Sequence, residues 1–184
     1  MVRAVLKTKE QICLLFLKRL FLGLILFSLL MGIVWSITPP AIAAIRQLEE
    51  APGQVVYQSR QTLQDQHHRG WQAIAFKRIR ADGSSSFYLR LVGFPGTATI
   101  DRAQPLSLTS SLGQMLSAAD ASRPIFTDAD SPEPHVGQYD LQPILSQLRP
   151  ELPWRLVLPT TPETTVLQVP PSLVQEWQAI AQYE

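Results

Sequence analysis

Three histidines, one cysteine and fifteen acidic side chains are the raw material for chemistry in this 184-residue chain. His67 and His68 stand next to each other, just before Gly70 and close to Asp65. Neighbouring side chains on a strand point to opposite faces, so this pair could share a metal only from a loop, with further ligands from elsewhere. A solvated polar turn is the plainer expectation. Asp128, Asp130, Glu133 and His135 crowd a second segment. Calcium takes about 6–8 oxygen ligands. The EF-hand spacing fails here, because Pro132 replaces a ligand position and the turn glycine is missing. These four are weak metal candidates, and an acidic exposed loop is expected. No G-x-S-x-G, H-E-x-x-H or glycine-rich phosphate loop occurs, and no spacing of Ser, His and Asp singles out a triad. The sequence therefore nominates no catalytic residue and no cofactor, and a non-enzymatic role is expected.

Cations are more suggestive. After residue 43 the chain has ten arginines and one lysine. Lys77, Arg78, Arg80 and Arg90 fall on one predicted hairpin, with Tyr88 among them. Arginine and tyrosine carry planar groups that suit contact patches. Such a surface would fit an anionic partner or lipid headgroups; a solvated outer sheet face is the alternative.

The hairpin that must position them runs over Trp71–Arg80 and Ser85–Val92, around Ala81-Asp82-Gly83-Ser84. Asp-Gly is a preferred two-residue type I′ turn. That turn would set Arg80 opposite Ser85, Arg78 opposite Phe87, Phe76 opposite Leu89 and Ile74 opposite Leu91. Ile74, Phe76, Leu89 and Leu91 would then share one face, and Lys77, Tyr88 and Arg90 the other, with Ala75 and Ile79.

Around this hairpin the chain reads as short pieces, cut by fifteen prolines. Strands are expected at Gln54–Leu63, Thr97–Ile100, Trp154–Leu158 and Thr165–Val169. Pro105–Thr109 and Gln114–Ala118 read as two further strands, with a helix as competitor that Gly113 would weaken by about 1 kcal/mol. Arg123–Gln138 reads as a loop. Asp140 would cap a short helix over Leu141–Leu148, and Pro150 would stop it. A closing helix presents Leu173, Trp177, Ile180 and Ala181 as one apolar stripe, with Ser172 and Gln175 as a capping box. The expected class is α+β: a mainly antiparallel β-sheet packed by a short helix and a C-terminal helix, preceded by an N-terminal hydrophobic signal helix.

That N-terminal part has its own logic. Leu20 to Ile37 holds no charge, and Arg3, Lys7, Lys9, Lys18 and Arg19 precede it against a single Glu10. Cations held in the cytoplasm with an apolar run in the bilayer are the order of an export signal. Thr38-Pro39-Pro40 breaks the run, and Ala41-Ile42-Ala43-Ala44 offers a cleavage site after Ala43. At ~1.5 Å per residue the run spans about 27 Å, so an uncleaved anchor is the alternative. Lys18-Arg19 gives only a partial twin-arginine pattern, and Cys13 precedes the run, which excludes a lipoprotein signal. The expected organisation is a signal peptide or membrane anchor at 1–43, a flexible lead-in at 44–53 and one α+β domain at 54–184. Past residue 43, eleven cations face fourteen acids, which removes support for nucleic-acid binding. No cysteine remains there, so the fold must stand on its core.

Four segments carry a likeness beyond these patterns: Gln54-Val55-Val56-Tyr57-Gln58-Ser59-Arg60, Leu89-Arg90-Leu91-Val92-Gly93-Phe94-Pro95-Gly96, Gly137-Gln138-Tyr139-Asp140-Leu141 and Val169-Pro170-Pro171-Ser172-Leu173-Val174-Gln175-Glu176-Trp177. With them the chain resembles a family of small secreted proteins of unknown function found mainly in cyanobacteria. The resemblance implies a periplasmic or thylakoid-lumenal setting and supplies no catalytic residues. The expected function is an exported, non-catalytic accessory protein that binds a protein partner at or near a membrane, auxiliary to a photosynthetic complex. A small-ligand or lipid-binding module is the first alternative, and a hydrolase-type enzyme the second.

Overall fold

The computed structural model describes residue 19, residues 21–23, residue 27, residues 45–125 and residues 133–184. The chain divides into two units, Met1–Ala41 and Ile42–Glu184. In the first, the described residues are helical; most of the apolar run lies outside the described residues. Among the described residues no helix is long and apolar enough to cross a membrane.

Antiparallel pairing builds the second unit. Its larger sheet runs in the order β1 (Arg46–Ala51), β2 (Gln54–Gln64), β3 (Gly70–Ile79), β4 (Ser85–Val92) and β8 (Val136–Asp140). A smaller sheet orders β11 (Thr165–Val169), β9 (Trp154–Leu158), β6 (Leu106–Ser110) and β7 (Met115–Ala118). A two-stranded ribbon joins β5 (Thr99–Ile100) to β10 (Thr160–Thr161). One helix, α1 (Pro171–Ala181), packs on β2 and β3. Mainly antiparallel sheet with a C-terminal helix is the α+β class that the patterns predict.

The period of two in β4 shows why it is a strand. Phe87, Leu89 and Leu91 are buried, while the residues between them are only half-buried. Their inner face meets Leu108, Trp154 and Leu156 of the smaller sheet and Leu173, Val174, Trp177 and Ile180 of α1 in one core cluster. Trp71 lies in that cluster so close to Gly93 that a Cβ there would stand 2.9 Å from its ring. Gly93 is therefore a packing requirement, because no side chain fits beside the indole.

Several local expectations give way. The two-residue turn is instead a three-residue loop at 81–83. Arg80 N–H donates to Ser84 O at 2.9 Å, Gly83 N–H donates to Arg80 O at 2.9 Å, and Gly83 has φ +79°. This is a type I turn closed by a left-handed glycine, and its extra residue shifts the pairing by one. The observed partners are Arg78 with Ser86, Lys77 with Phe87, Phe76 with Tyr88, Ala75 with Leu89 and Ile74 with Arg90. Every side chain of β4 consequently faces the neighbours opposite to those expected. The lead-in at 44–53 contains β1, paired with β2. The loop read over Arg123–Gln138 ends in β8, and a short 3-10 turn occupies Arg123–Ile125. The helix expected at Leu141–Leu148 shrinks to a 3-10 turn at Leu145–Gln147. Asp140 does not cap it; its Oδ1 accepts from Gln142 N–H at 2.9 Å. The Ser172–Gln175 capping box does not form, because Pro170 holds the N-cap position and Pro171 begins the helix.

The β2–β3 connection rests on Asp65. Its buried carboxylate accepts the backbone N–H of His67 at 2.8 Å and of Arg69 at 2.9 Å, and Arg69 Nε at 2.7 Å. Trp71 Nε1 reaches it at 3.4 Å. Burial alone would raise the Asp65 pKa, but the donors from Arg69, His67 and Trp71 outweigh it and hold the carboxyl below its ordinary value. The folded pKa is thus lower than the unfolded one. The stabilisation is present above about pH 3.8 and is lost as pH falls through the folded pKa. Asp65→Asn should destabilise the domain by about 1–3 kcal/mol at pH 7. In urea unfolding measured at several pH values, that difference should shrink steadily below pH 4.

Candidate functional site

The larger sheet has an inner face in the core and an outer face that α1 does not cover. Register assigns the outer face: Val56 and Arg78 are partners, as are Gln58 and Phe76, Arg60 and Ile74, Phe76 and Tyr88, Ile74 and Arg90, and Arg90 and Gln138. These rows bring apolar and arginine side chains together in the middle of the sheet. Val56, Ile74 and Phe76 form a small buried cluster of their own, flanked by Tyr88 and Val92. Phe76 and Tyr88 rings lie 5.7 Å apart.

Guanidinium groups roof this cluster. Arg78 stands 5.6 Å and Arg90 5.3 Å from the Phe76 ring centre, within the range of cation–π attraction. Each is held from the side. Arg90 donates from Nε and Nη2 to Gln138 Oε1, at 3.1 and 2.8 Å. Arg78 donates to Glu50 Oε2 at 3.0 Å from Nε and 2.9 Å from Nη2, and Gln54 Nε2 donates to the same oxygen at 2.8 Å. Arg60 completes the group as an exposed cation on β2. Burial lowers the Arg90 pKa, and repulsion from Arg78 and Arg60 lowers it further, with only Glu50 opposing. The charge of this face is therefore under-compensated. Across from Arg78, the buried Ser86 hydroxyl has no hydrogen-bond partner among the described residues.

The shift by one residue redistributes the predicted patch. Tyr88, Arg78 and Arg90 meet around Phe76. Arg80 sits at the end of the hairpin, with Nη1 3.4 Å from Ser84 Oγ. Lys77 is on the opposite face, paired with Tyr57 and Phe87. Its Nζ donates to the carbonyls of Ala181 at 2.8 Å and Tyr183 at 2.6 Å, closing the end of α1. Tyr183 stacks on Tyr57 with ring centres 4.6 Å apart. Arg60 and Gln138 were not singled out as site residues in the sequence, and Phe76, expected on one face with Leu89 and Leu91, lies instead beside Tyr88. The period of two in β2 and β3 points to Arg60 and Phe76 once the correct register is in hand; Gln138, on β8, is brought in by the pairing of β8 with β4.

The other chemistry-bearing residues have structural neighbours. His67 Nε2 lies 2.7 Å from Glu163 Oε1, and His68 occupies the left-handed turn position at φ 61°. Of the acidic segment, Asp128 and Asp130 lie outside the described residues; Glu133 Oε2 is 3.2 Å from His135 Nε2. Among the described residues no group of three or more His, Cys, Asp or Glu could hold a metal ion. Beneath α1 the inner face is packed with Trp71, Leu89 and Trp177. A shallow open groove of about 470 Å³ lies beside the helix, lined by Gln142, Leu145, Ser146, Gln178, Ala181 and Gln182.

A partly buried guanidinium is tolerated in a fold while its hydrogen bonds are made. Arg90→Met keeps the aliphatic stem over Phe76 but strips the buried Gln138 Oε1 of the two donors Arg90 gives it. It should lower stability by about 1–3 kcal/mol, the cost of a buried acceptor left unpaired. A urea midpoint for Arg90→Met at or above that of the parent chain would show instead that relief of the clustered charge outweighs those bonds.

Comparison with known proteins supports the coarser part of that likeness, a family of unknown function. No curated protein and no solved structure matches the chain significantly. A family model described as "Protein of unknown function (DUF3122)" matches residues 43–180. That match takes in all of β1 to β11 and nearly the whole of α1, and the chain belongs to this family.

Proposed function

We propose that this protein is an exported, non-catalytic accessory protein whose outer sheet face docks onto an acidic surface of a protein partner at or near a membrane. One observation carries the reading. Arg78 and Arg90 stand over Phe76 beside Tyr88, Arg60 lies on the neighbouring strand opposite Ile74, and among the described residues the ion pair made by these three arginines is Arg78 with Glu50. An aromatic centre flanked by arginines is the composition of an energetic hot spot, and the uncompensated charge selects for carboxylates. Charge reversal there should slow association and alter its salt dependence as well as weaken it.

The setting comes from the first forty-three residues and from the family resemblance. A basic flank, an apolar run and an Ala-x-Ala ending support export. The proposed location is the periplasm or thylakoid lumen, soluble after cleavage or anchored by residues 20–37. An auxiliary role at a photosynthetic membrane complex follows from that setting.

Affinity capture with a C-terminally tagged full-length chain from gently solubilised native membranes tests the proposal, with the intact mass of the bait read alongside. Arg78→Glu/Arg90→Glu should lose the captured partner, and Lys77→Met, on the inner face, should keep it. Undiminished capture by the doubly reversed protein would overturn the assignment. So would equal binding to vesicles of anionic lipid with no protein partner. A bait mass starting at Ala44 is expected if the signal is removed.

A further inference from the structure

Sheet edges present unpaired backbone groups, and proteins normally cover them. Two edges here are covered. Along β11, Gln66 acts as a substitute strand: its Oε1 accepts Val166 N–H at 2.7 Å and its Nε2 donates to Thr164 O at 2.8 Å. Asp65 adds a bridge to Leu167. Along β8, Asp140 N–H donates to Ala119 O at 3.0 Å and Ala121 N–H to Gln138 O at 2.7 Å, with a bridge between Asp120 and Tyr139. β7, the other margin of the smaller sheet, is only four residues long. β1 is different. It has six residues, every one exposed, and among the described residues only β2 pairs with it. Leu48 on its outer face is 45% exposed.

Its sequence, Arg46-Gln47-Leu48-Glu49-Glu50-Ala51, is complementary to itself when reversed. A two-fold axis perpendicular to the sheet keeps both outer faces on the same side. Antiparallel pairing about such an axis must centre on a residue, because pairing centred between residues would set outer side chains against inner ones. Three centres are available. Centring on Gln47 sets Arg46 against Leu48 and Ile45 against Glu49. Centring on Glu49 sets it against its own copy and Leu48 against Glu50. Centring on Leu48 sets each Arg46 against Glu50 of the second copy, each Gln47 against Glu49, and Leu48 against Leu48. Only this register pairs the opposite charges directly across the strands, and it joins the exposed leucines as well. The bulge between Glu49 and Ala51 favours it further. It leaves Glu50 out of the β2 ladder, with its carboxylate over the outer face beside Arg78, where Arg46 of a second copy could reach it.

We infer that β1 is a dimerisation edge: two copies pair β1 antiparallel about Leu48, joining their five-stranded sheets into one of ten strands. The two-fold then places both arginine faces on the same side, doubling the surface that one partner meets. The inference uses edge pairing and charge register alone and does not depend on the identity of any partner.

The test uses the purified full-length chain in mild detergent, with Cys13→Ser and Leu48→Cys. In antiparallel pairs, opposed Cα atoms lie about 4.5–5.5 Å apart, inside the range a disulfide spans. Oxidation should therefore yield a disulfide dimer from Leu48→Cys and none from Arg60→Cys on β2. Arg46→Glu should weaken dimerisation about tenfold, since two symmetry-related pairs change from attraction to repulsion. Arg46→Glu/Glu50→Arg should restore it. Sedimentation gives the same comparison without any cysteine. A monomer at tens of micromolar would overturn the inference, and so would cross-linking that Arg46→Glu leaves unchanged. Neither outcome bears on partner capture, which the Arg78→Glu/Arg90→Glu variant reads separately.

Discussion

The pairing of β3 with β4 decides what each surface of this protein can do, and a loop of three residues decides that pairing. Side chains alternate along a strand, so one residue more or fewer in the connection exchanges the two faces of β4 relative to β3. With Ala81, Asp82 and Gly83 in the loop, Ala75 lies beside Leu89 and Lys77 beside Phe87 on the core side. Phe76 lies beside Tyr88, and Ile74 beside Arg90, on the outer side. Asp82 supports the loop through its Oδ1, which accepts Ser84 N–H at 2.8 Å. The same arrangement recurs at 111–113, where Gly113 has φ +83° and its N–H donates to Ser110 O at 3.0 Å. Two hairpins of this domain are thus set by one local device.

From that register follow both the core and the candidate surface. Small residues on the inner side of β3, Ala73 and Ala75, leave room for Trp71, Leu89, Leu91 and the indole of Trp177. Large ones on the outer side, Ile74 and Phe76, cannot reach the core and are buried instead in a small cluster with Val56, where two guanidinium groups cover Phe76. Arginine suits this task because its flat, weakly hydrated head stacks on a ring while its stem covers apolar area. The outcome is a small buried apolar cluster beneath a half-exposed face rich in positive charge.

Much of the fold was readable in the sequence. The strands β2, β3, β4, β9 and β11 announce themselves through alternation, and α1 through its stripe of Leu173, Trp177 and Ile180. The turn was not readable, because Asp-Gly serves both a two-residue type I′ turn and the last two positions of a three-residue loop. Alternation could not arbitrate, since Ile74, Ala75 and Phe76 are apolar in both registers. β1 was hidden for another reason: Arg46-Gln47-Leu48-Glu49-Glu50 has a single apolar residue, and pairing with β2 alone makes it a strand. The short helix after Asp140 failed because Pro143 and Pro150 leave too little chain for an α-helix, so only a 3-10 turn fits. For the site, the residue types were legible in Arg78, Tyr88 and Arg90. Lys77 was misplaced by the register, and Arg60 and Gln138 come from strands whose neighbours only the fold specifies.

Lys77 gives the most direct test of this account, because it is the single lysine beyond residue 43 and each register assigns it to a different face. The measurement is acylation of the folded full-length chain with an amine-reactive ester, with the peptide carrying Lys77 quantified by mass against a urea-unfolded control. With Nζ held by the carbonyls of Ala181 and Tyr183, the folded chain should react at least about tenfold more slowly, and removing residues 181–184 should abolish the protection. A folded chain whose Lys77 reacts as fast as the unfolded control would place the lysine on the outer face and contradict the register on which the arginine surface depends.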